Sequence, residues 1–462
     1  MDSDPHAVEA PPIGPPLRVA VVGSGPAAFY SADFLLRHHS AHVEVDMFER
    51  LPTPFGLVRF GVAPDHQSIK RVIAAFERTA QHPNFRFFGN IEVGRQVPTE
   101  LLIAEYHAVL FATGSASDKR LGVPGEDLPG SVPATAFVGW YNGHPDFQRH
   151  VFDLSDERTV VVGMGNVAMD VARILLRSPA ELAATDITQL ALSTLRQSAV
   201  REVVLLGRRG LAEAAFEQSE LSDIAELADV AVSVEGDLSV AHAEALSPAA
   251  RKNVAYVREL AAAPAKAAGR RLRLRFQASP VAILGDGRVQ AVRVERNVLA
   301  QSADGTVSAR GSGEFEEMPC GLVLRSIGYR GVSISGVPFD EQRGVIPNEH
   351  GRVLGVDGHV VPGLYTAGWI KRGPTGLVGT NKSDAKETTS ALLADARLLQ
   401  VTHAPCDGER IVERLRELGV RHLTFADWQR LDAFEVEAGQ ALGKVREKLV
   451  DIASMLQALE RS

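Results

Sequence analysis

The sequence predicts an α/β fold of two Rossmann-like dinucleotide-binding domains, the second inserted into a discontinuous first. A pattern of short apolar strand, glycine loop, helix and second strand occurs over residues 17–49 and recurs over 159–210. A Gly/Pro-rich section past Gly328 then precedes one more helical stretch. The length of 462 residues agrees, since at roughly 150 residues per domain it suggests two or three. Hydrophobic residues at 45% and charged residues at 23% are ordinary globular composition and exclude a wholly disordered or fibrous chain.

The first sixteen residues are polar, acidic and Pro-rich (Asp2, Asp4, Glu9, Pro11, Pro12, Pro15, Pro16) and read as a disordered leader. They have neither the apolar run of a signal peptide nor the Arg/Ser-rich pattern of a transit peptide. No stretch approaches the ~18 apolar residues of a membrane helix. A cytoplasmic protein is therefore expected.

Leu17 to Val22 (LRVAVV) is apolar and β-branched, as a buried strand should be. Gly23-Ser-Gly25-Pro-Ala-Ala28 follows, then a helical pattern through Phe29, Phe34, Leu35 and Leu36. Val43 to Phe48 is the next strand and ends in Glu49; Tyr106 to Ala112 is another, closed by Thr113-Gly114. Thr159 to Val162 opens the second unit, with Gly163-Met-Gly165-Asn-Val-Ala168, a helix through Val171, Ile174 and Leu175, and Val203 to Leu206 running into Gly207-Arg208-Arg209-Gly210. Leu238 to Arg271 is Ala-, Lys- and Arg-rich and reads as helical, followed by strands at Leu272–Phe276, Val289–Val294 and Leu322–Ile327. A helix from about Ser383 to Leu399 follows the Gly-rich section. The expected division is a leader 1–16, a first domain made of 17–114 and 329–462, and a second domain 115–328 between them.

Each Gly-x-Gly-x-x-Ala loop suits a pyrophosphate. The first glycine permits the turn, the second lets backbone approach phosphate, and the small alanine lets helix and strand pack closely. The strand ends then separate the two units. Glu49 is placed to accept hydrogen bonds from ribose hydroxyls, whereas Arg208-Arg209 stand where a 2′-phosphate would be bound, which favours NADP over NAD. One acid-ended and one arginine-ended unit imply two different dinucleotides, FAD in the first site and NADPH in the second. Cys320 and Cys406 are the only cysteines, too few and too far apart for a CxxC pair or a cysteine-ligated cluster, and both read as structural. Redox chemistry must then come from a bound organic cofactor. The net charge of −8 excludes a global affinity for nucleic acid or anionic membrane, and no metal site is expected.

Several strings resemble the adrenodoxin reductase family of ferredoxin–NADP reductases, including its bacterial members. They are Gly23-Ser-Gly-Pro-Ala27, Phe55-Gly-Leu-Val-Arg-Phe-Gly-Val-Ala-Pro-Asp-His66, Phe137-Val-Gly-Trp-Tyr-Asn142, Gly165-Asn-Val167, Gly207-Arg-Arg-Gly210 and Gly368-Trp-Ile-Lys-Arg-Gly-Pro-Thr-Gly376. The similarity covers residues 17 to 458. Beside the loop glycines Gly23 and Gly25, it implies FAD contacts at Ala27, Glu49, Leu57, Val93, Trp369 and the Gly376-Leu377-Val378 backbone. For NADP it implies Met164, Gly165, Asn166, Val167, Arg208, Arg209, Glu220 and Gly376. It also implies that His66 and Asp170 approach one another near flavin and nicotinamide as the catalytic pair. The family's Arg-Arg-Gly-Pro-Leu-Gln string is Arg208-Arg-Gly-Leu-Ala-Glu213 here, which leaves both arginines but places an acid, Glu213, near the phosphate pocket.

Arg251, Lys252, Arg258, Lys266, Arg270 and Arg271 form a basic stretch in an acidic chain, either a solvated helix face or a docking surface for an acidic partner. The resemblance implies an oxidoreductase that passes hydride from NADPH to FAD and single electrons to an acidic iron–sulfur ferredoxin, which can feed a cytochrome P450. The other readings are an NADPH-dependent flavin diaphorase or quinone reductase, and a dinucleotide-sensing scaffold.

Overall fold

The computed structural model describes residues 16–38, 41–240, 246–264, 266–302, 307–376, 378–402 and 408–461. Leu17–Val22 is the middle one of the five parallel strands in a seven-stranded sheet, lying between Ala108–Phe111 and Val43–Phe48. Phe85–Phe88 and Val360–Thr366 extend this parallel core on either side, and Asn348–Glu349 and Arg352–Leu354 add an antiparallel edge. The Leu17–Val22 strand is buried throughout because both of its faces are covered, and its one charged residue, Arg18, is paired with Glu44 at 2.8 Å. Leu17, Val19 and Val21 pack under the helix Pro26–Leu36, while Ala20 and Val22 enter a second core on the other side. The sheet therefore takes strands from residues 17–111 and from residues 348–366, and the intervening chain builds a different one.

That second sheet has six parallel strands in the order Ser131–Pro133, Leu322–Arg325, Arg158–Val162, Glu202–Gly207, Arg270–Phe276 and Val230–Glu235. One face carries the helix Asn166–Leu176. The other is covered by a three-stranded antiparallel sheet, Ala278–Leu284, Ala291–Gln301 and Val307–Pro319. The chain passes between the two large sheets twice, and the crossings pair with one another: Ser117–Asp118 lies antiparallel to Tyr329–Arg330.

Two expectations need correction. The stretch Leu238 to Arg271 is not one helix: the helix spans Pro248–Ala262 and Arg270–Phe276 is a strand. Ser247 caps the helix by accepting a hydrogen bond from the Ala250 N–H, Pro248 fills the first turn, and Ala263 before Pro264 is extended, so the helix stops. The strand placed at Val289–Val294 instead covers Ala291–Gln301, and its long partner Val307–Pro319 went unseen. That partner is exposed along most of its length, so it lacks the apolar alternation that marks a half-buried strand. Cys406 lies outside the described residues, and Cys320 is buried, which pushes its thiol pKa up to about 12.

Candidate functional site

Both glycine loops leave the carboxyl end of a parallel strand, where ligands of open α/β sheets bind. Gly23 has φ +103° and a Cβ there would lie 2.5 Å from the Ala112 carbonyl oxygen. Gly163 repeats this with φ +136° and the Ser326 carbonyl oxygen at 2.1 Å, so neither turn admits a side chain. Gly25 and Gly165 are the opposite case. A Cβ on either meets no atom within 4 Å, so the space before each helix start is open to a phosphate. Both loops fit a dinucleotide.

Around the first loop, the hydroxyl of Ser24 donates to Glu49 Oε2 at 2.6 Å, and the Leu51 N–H donates to Oε1 at 3.0 Å. The acid is thereby fixed at the end of its strand. Three segments distant in sequence converge here. Phe55 donates its N–H to the Ser24 carbonyl at 3.0 Å, a Cβ on Gly56 would touch Gly25 Cα at 3.0 Å, and one on Gly368 would strike the Ala27 side chain at 2.6 Å. Ala27 is buried, whereas Leu57 is 40% exposed beside the loop and Val93 is half-buried. Trp369 stacks on Tyr329 with centroids 5.5 Å apart, and its buried indole Nε1 has no hydrogen-bond partner among the described residues. Gly376 is exposed and Val378 half-buried, just ahead of the helix Thr380–Thr402; Leu377 lies outside the described residues.

Around the second loop, Asn166 Oδ1 accepts the Glu217 N–H at 2.7 Å, the Met164 carbonyl accepts that of Ala215 at 2.8 Å, and Val167 is half-buried. Arg208 and Arg209 are exposed, and among the described residues neither guanidinium has an ion-pair partner. Their backbone is pinned by the antiparallel sheet: the side chain of Asn297 donates to the Arg208 carbonyl at 2.8 Å and the Gln277 N–H to that of Arg209 at 3.0 Å. Glu213 turns back to accept the Gly210 N–H at 2.9 Å, so its carboxylate closes the arginine turn.

The segment that begins at the first loop with Phe55 ends against the helix that leaves the second. There His66 meets Asp170, with Nδ1 to Oδ1 at 3.9 Å; its Nε2 lies 3.4 Å from Asp223 and 3.9 Å from Glu220. Burial pushes Asp170 up to about 6 against the pull of Arg173, with the charges of Asp65 and Asp223 adding to the rise. Glu220 is raised chiefly by burial and then by Asp170. Burial opposes ionisation of Asp65 as well, but hydrogen bonding and charge from Arg173 hold it below the usual carboxylate range. Tyr141 faces the same charges with a buried hydroxyl that has no partner among the described residues. Glu220, expected at the nucleotide, thus stands in this cluster. Sequence reasoning missed Arg173, Arg177 and Asp223; the signal available was a pair of cations, Arg173 and Arg177, one turn apart and following Asp170 on an otherwise apolar helix.

The basic stretch does not form one face. Arg251 and Lys252 are exposed on the helix Pro248–Ala262. Arg258, Lys266 and Arg270 instead donate to the carbonyls of Leu238, Leu227 and Leu176, at 2.8, 2.6 and 2.7 Å. Among the described residues no helix is long and apolar enough to cross a membrane.

Residues 17–228 match the pyridine nucleotide-disulphide oxidoreductase family. The chain is 44% identical over 459 residues to the NADPH-ferredoxin reductase FprA of Mycobacterium tuberculosis, covering 96% of this chain and 99% of that protein. It is also 44% identical to the human mitochondrial NADPH:adrenodoxin oxidoreductase, over 96% of this chain and 92% of the relative. The solved structure of Mycobacterium tuberculosis FprA in complex with NADPH superimposes with a TM-score of 0.91, covering 96% of this chain and all of that one.

Proposed function

The chain belongs to the ferredoxin–NADP reductases of the adrenodoxin reductase type, and from that premise we propose that it passes hydride from NADPH to a bound FAD and single electrons onward to an iron–sulfur ferredoxin. The observation that carries this is the contrast between the two loops, one beside the fixed carboxylate of Glu49 and the other beside two exposed guanidiniums that have no ion-pair partner among the described residues. FAD, when bound, converts a two-electron hydride donor into one-electron steps.

We assign the roles as follows. The Gly23 and Gly25 backbone and the helix start at Pro26 hold the flavin pyrophosphate, Glu49 its ribose, and Ala27, Leu57, Val93, Trp369 and the 376–378 backbone the remainder. Met164 to Val167 hold the NADP pyrophosphate, and Arg208 and Arg209 grip the 2′-phosphate bidentately. His66 and Asp170 occupy the junction between the two sites, where orientation of the donor ring supplies most of the rate. Glu220 acts with them there. Residues 17–114 and 329–462 form the flavin domain and 115–328 the NADP domain.

The ferredoxin is acidic in our reading, because Arg251 and Lys252 offer an exposed cationic face in a chain of net charge −8. It feeds a terminal acceptor of the cytochrome P450 kind, and the protein acts in the cytoplasm, a reading supported by its bacterial relative FprA. Stopped-flow mixing with NADPH tests the reading. We expect rapid bleaching of the flavin, then salt-sensitive reduction of cytochrome c through an acidic ferredoxin. Absence of bleaching overturns it, and faster reduction of quinones than of any ferredoxin replaces it with a diaphorase.

A further inference from the structure

Arg173 is 1% exposed on the helix Asn166–Leu176, and its guanidinium is shared among three carboxylates. Nε donates to Asp65 Oδ2 at 2.7 Å, Nη1 to Glu220 Oε2 at 2.8 Å, and Nη2 to Asp170 Oδ1 at 2.5 Å and Asp65 Oδ1 at 3.2 Å. Nη2 also stands 3.4 Å from His66 Nδ1. Arg177, one turn on, donates to Asp65 Oδ2 at 2.7 Å but has no bond to His66, Asp170 or Glu220. The oxygen and nitrogen atoms of His66, Asp170 and Glu220 are close enough to hold a metal ion, all within 4.8 Å. Two of those groups already accept from Arg173, so a metal there would meet the guanidinium at hydrogen-bond range.

A guanidinium has donors only. A proton on His66 Nδ1 would meet the Nη2 of Arg173 at 3.4 Å, nearer than the Asp170 carboxylate at 3.9 Å, whereas a proton on Nε2 faces only carboxylates, Asp223 at 3.4 Å and Glu220 at 3.9 Å. The same cation holds Asp65, the residue before His66, and so ties the segment coming from the first phosphate loop to the helix leaving the second. We propose that Arg173 is a positioning residue for the hydride step, holding His66 at the sheet junction as its Nε2–H tautomer. This rests on the assignment of His66 to the nicotinamide site made above. A fork that serves three carboxylates at once cannot be copied by the single ammonium of lysine.

The test uses the FAD-loaded protein with nitrogen-15-labelled histidine, the His66 ring signals being assigned by their loss in His66→Gln. The wild type should show the Nε2–H tautomer; a proton on Nδ1 overturns the proposal whatever the variants do. In Arg173→Lys, hydride transfer at saturating NADPH should fall about tenfold or more, with NADP affinity changed less than about threefold and the His66 tautomers mixed. Arg177→Met, which loses one Asp65 bond, should stay within about threefold of wild type. Wild-type hydride rates in Arg173→Lys, or equal losses in the two variants, overturn the proposal. Failure of NADPH to bleach the wild-type flavin instead overturns the functional reading.

Discussion

Asp186→Asn tests whether the packing of the two sheets depends on one carboxylate. Asp186 is 3% exposed and accepts from Lys70 Nζ at 2.7 and 2.8 Å, from Gln67 Nε2 at 2.9 Å and from Lys448 Nζ at 2.9 Å. Lys448 also donates to the carbonyls of Arg59 and Asn142. Lys70 lies in the short helix Gln67–Lys70 beside the first sheet, Asp186 in a loop of the second unit, and Lys448 in the C-terminal segment. Neutralising Asp186 leaves two buried ammonium groups without a counter-ion, which costs about 3–5 kcal/mol. At roughly 2–4 °C per kcal/mol for a unit of this size, the melting temperature should fall by about 10 °C. The loss also has a pH signature. Burial already lowers the pKa of both lysines, Lys448 to about 7, and removing Asp186 lowers them further. Unfolded lysine keeps its proton to about 10.4, and the folded variant releases its lysine protons at lower pH than the wild type does, so the variant recovers stability relative to wild type as pH rises through about 7. Thermal melts of the FAD-loaded protein by far-ultraviolet circular dichroism at pH 6 and 9 measure both effects. A melting temperature within about 2 °C of wild type at pH 6, or a penalty that grows with pH, refutes the reasoning. Replacing Lys70, Asp186 and Lys448 together by apolar residues of similar volume should restore most of the loss.

Arg208→Ala with Arg209→Ala should raise the KM for NADPH by about 100-fold or more while leaving that for NADH nearly unchanged, since each lost charge-assisted bond is worth about 1.5–3 kcal/mol and at least two are lost; equal effects on both nucleotides in steady-state kinetics would remove the 2′-phosphate role. Gly25→Val should fold but bind no FAD, because φ is −77° and the Cβ meets open space, whereas Gly23→Ala should lose stability, its Cβ lying 2.5 Å from the Ala112 oxygen. Flavin absorbance and apoprotein melts distinguish the two, and stoichiometric FAD on Gly25→Val refutes the first. His66→Ala should lower turnover without abolishing it, so complete loss with FAD still bound, measured by stopped-flow bleaching, contradicts orientation as the main source of rate. Asp118, hydrogen-bonded by Thr135 at the crossing between the sheets, is pushed up to about 7 by burial from an ordinary 3.8. The folded state then holds a proton that the unfolded chain has lost between those values, so wild-type stability falls as pH rises through that window. Asp118→Asn should flatten that fall in melts across the range, and an unchanged slope removes Asp118 as its source.

Much of the candidate site was legible because it is local. Gly23, Gly25 and Ala28 lie within one turn between a strand and a helix, so their spacing alone describes the phosphate cradle, and Glu49 and Arg208-Arg209 are found by counting to the next strand end. The antiparallel sheet that pins the arginine turn was not legible, because Val307–Pro319 exposes polar residues on both faces and Asn297 resembles any strand polar residue until its amide is seen on the Arg208 carbonyl.

The sequence by itself determined the two loops, their order along the chain and the difference between their partners, since strand and helix periodicity and glycine's access to positive φ are properties of a few adjacent residues. Only the tertiary structure decided what stands between them. Asp65 and Arg173 are 108 residues apart and Lys70 and Asp186 are 116 apart. Such contacts have no local pattern, because they depend on how two separately folded sheets are set against one another. A charged residue on an apolar helix is an anomaly in sequence, and becomes a positioned group only when Asp65 from the other unit and Glu220 from its own close on it.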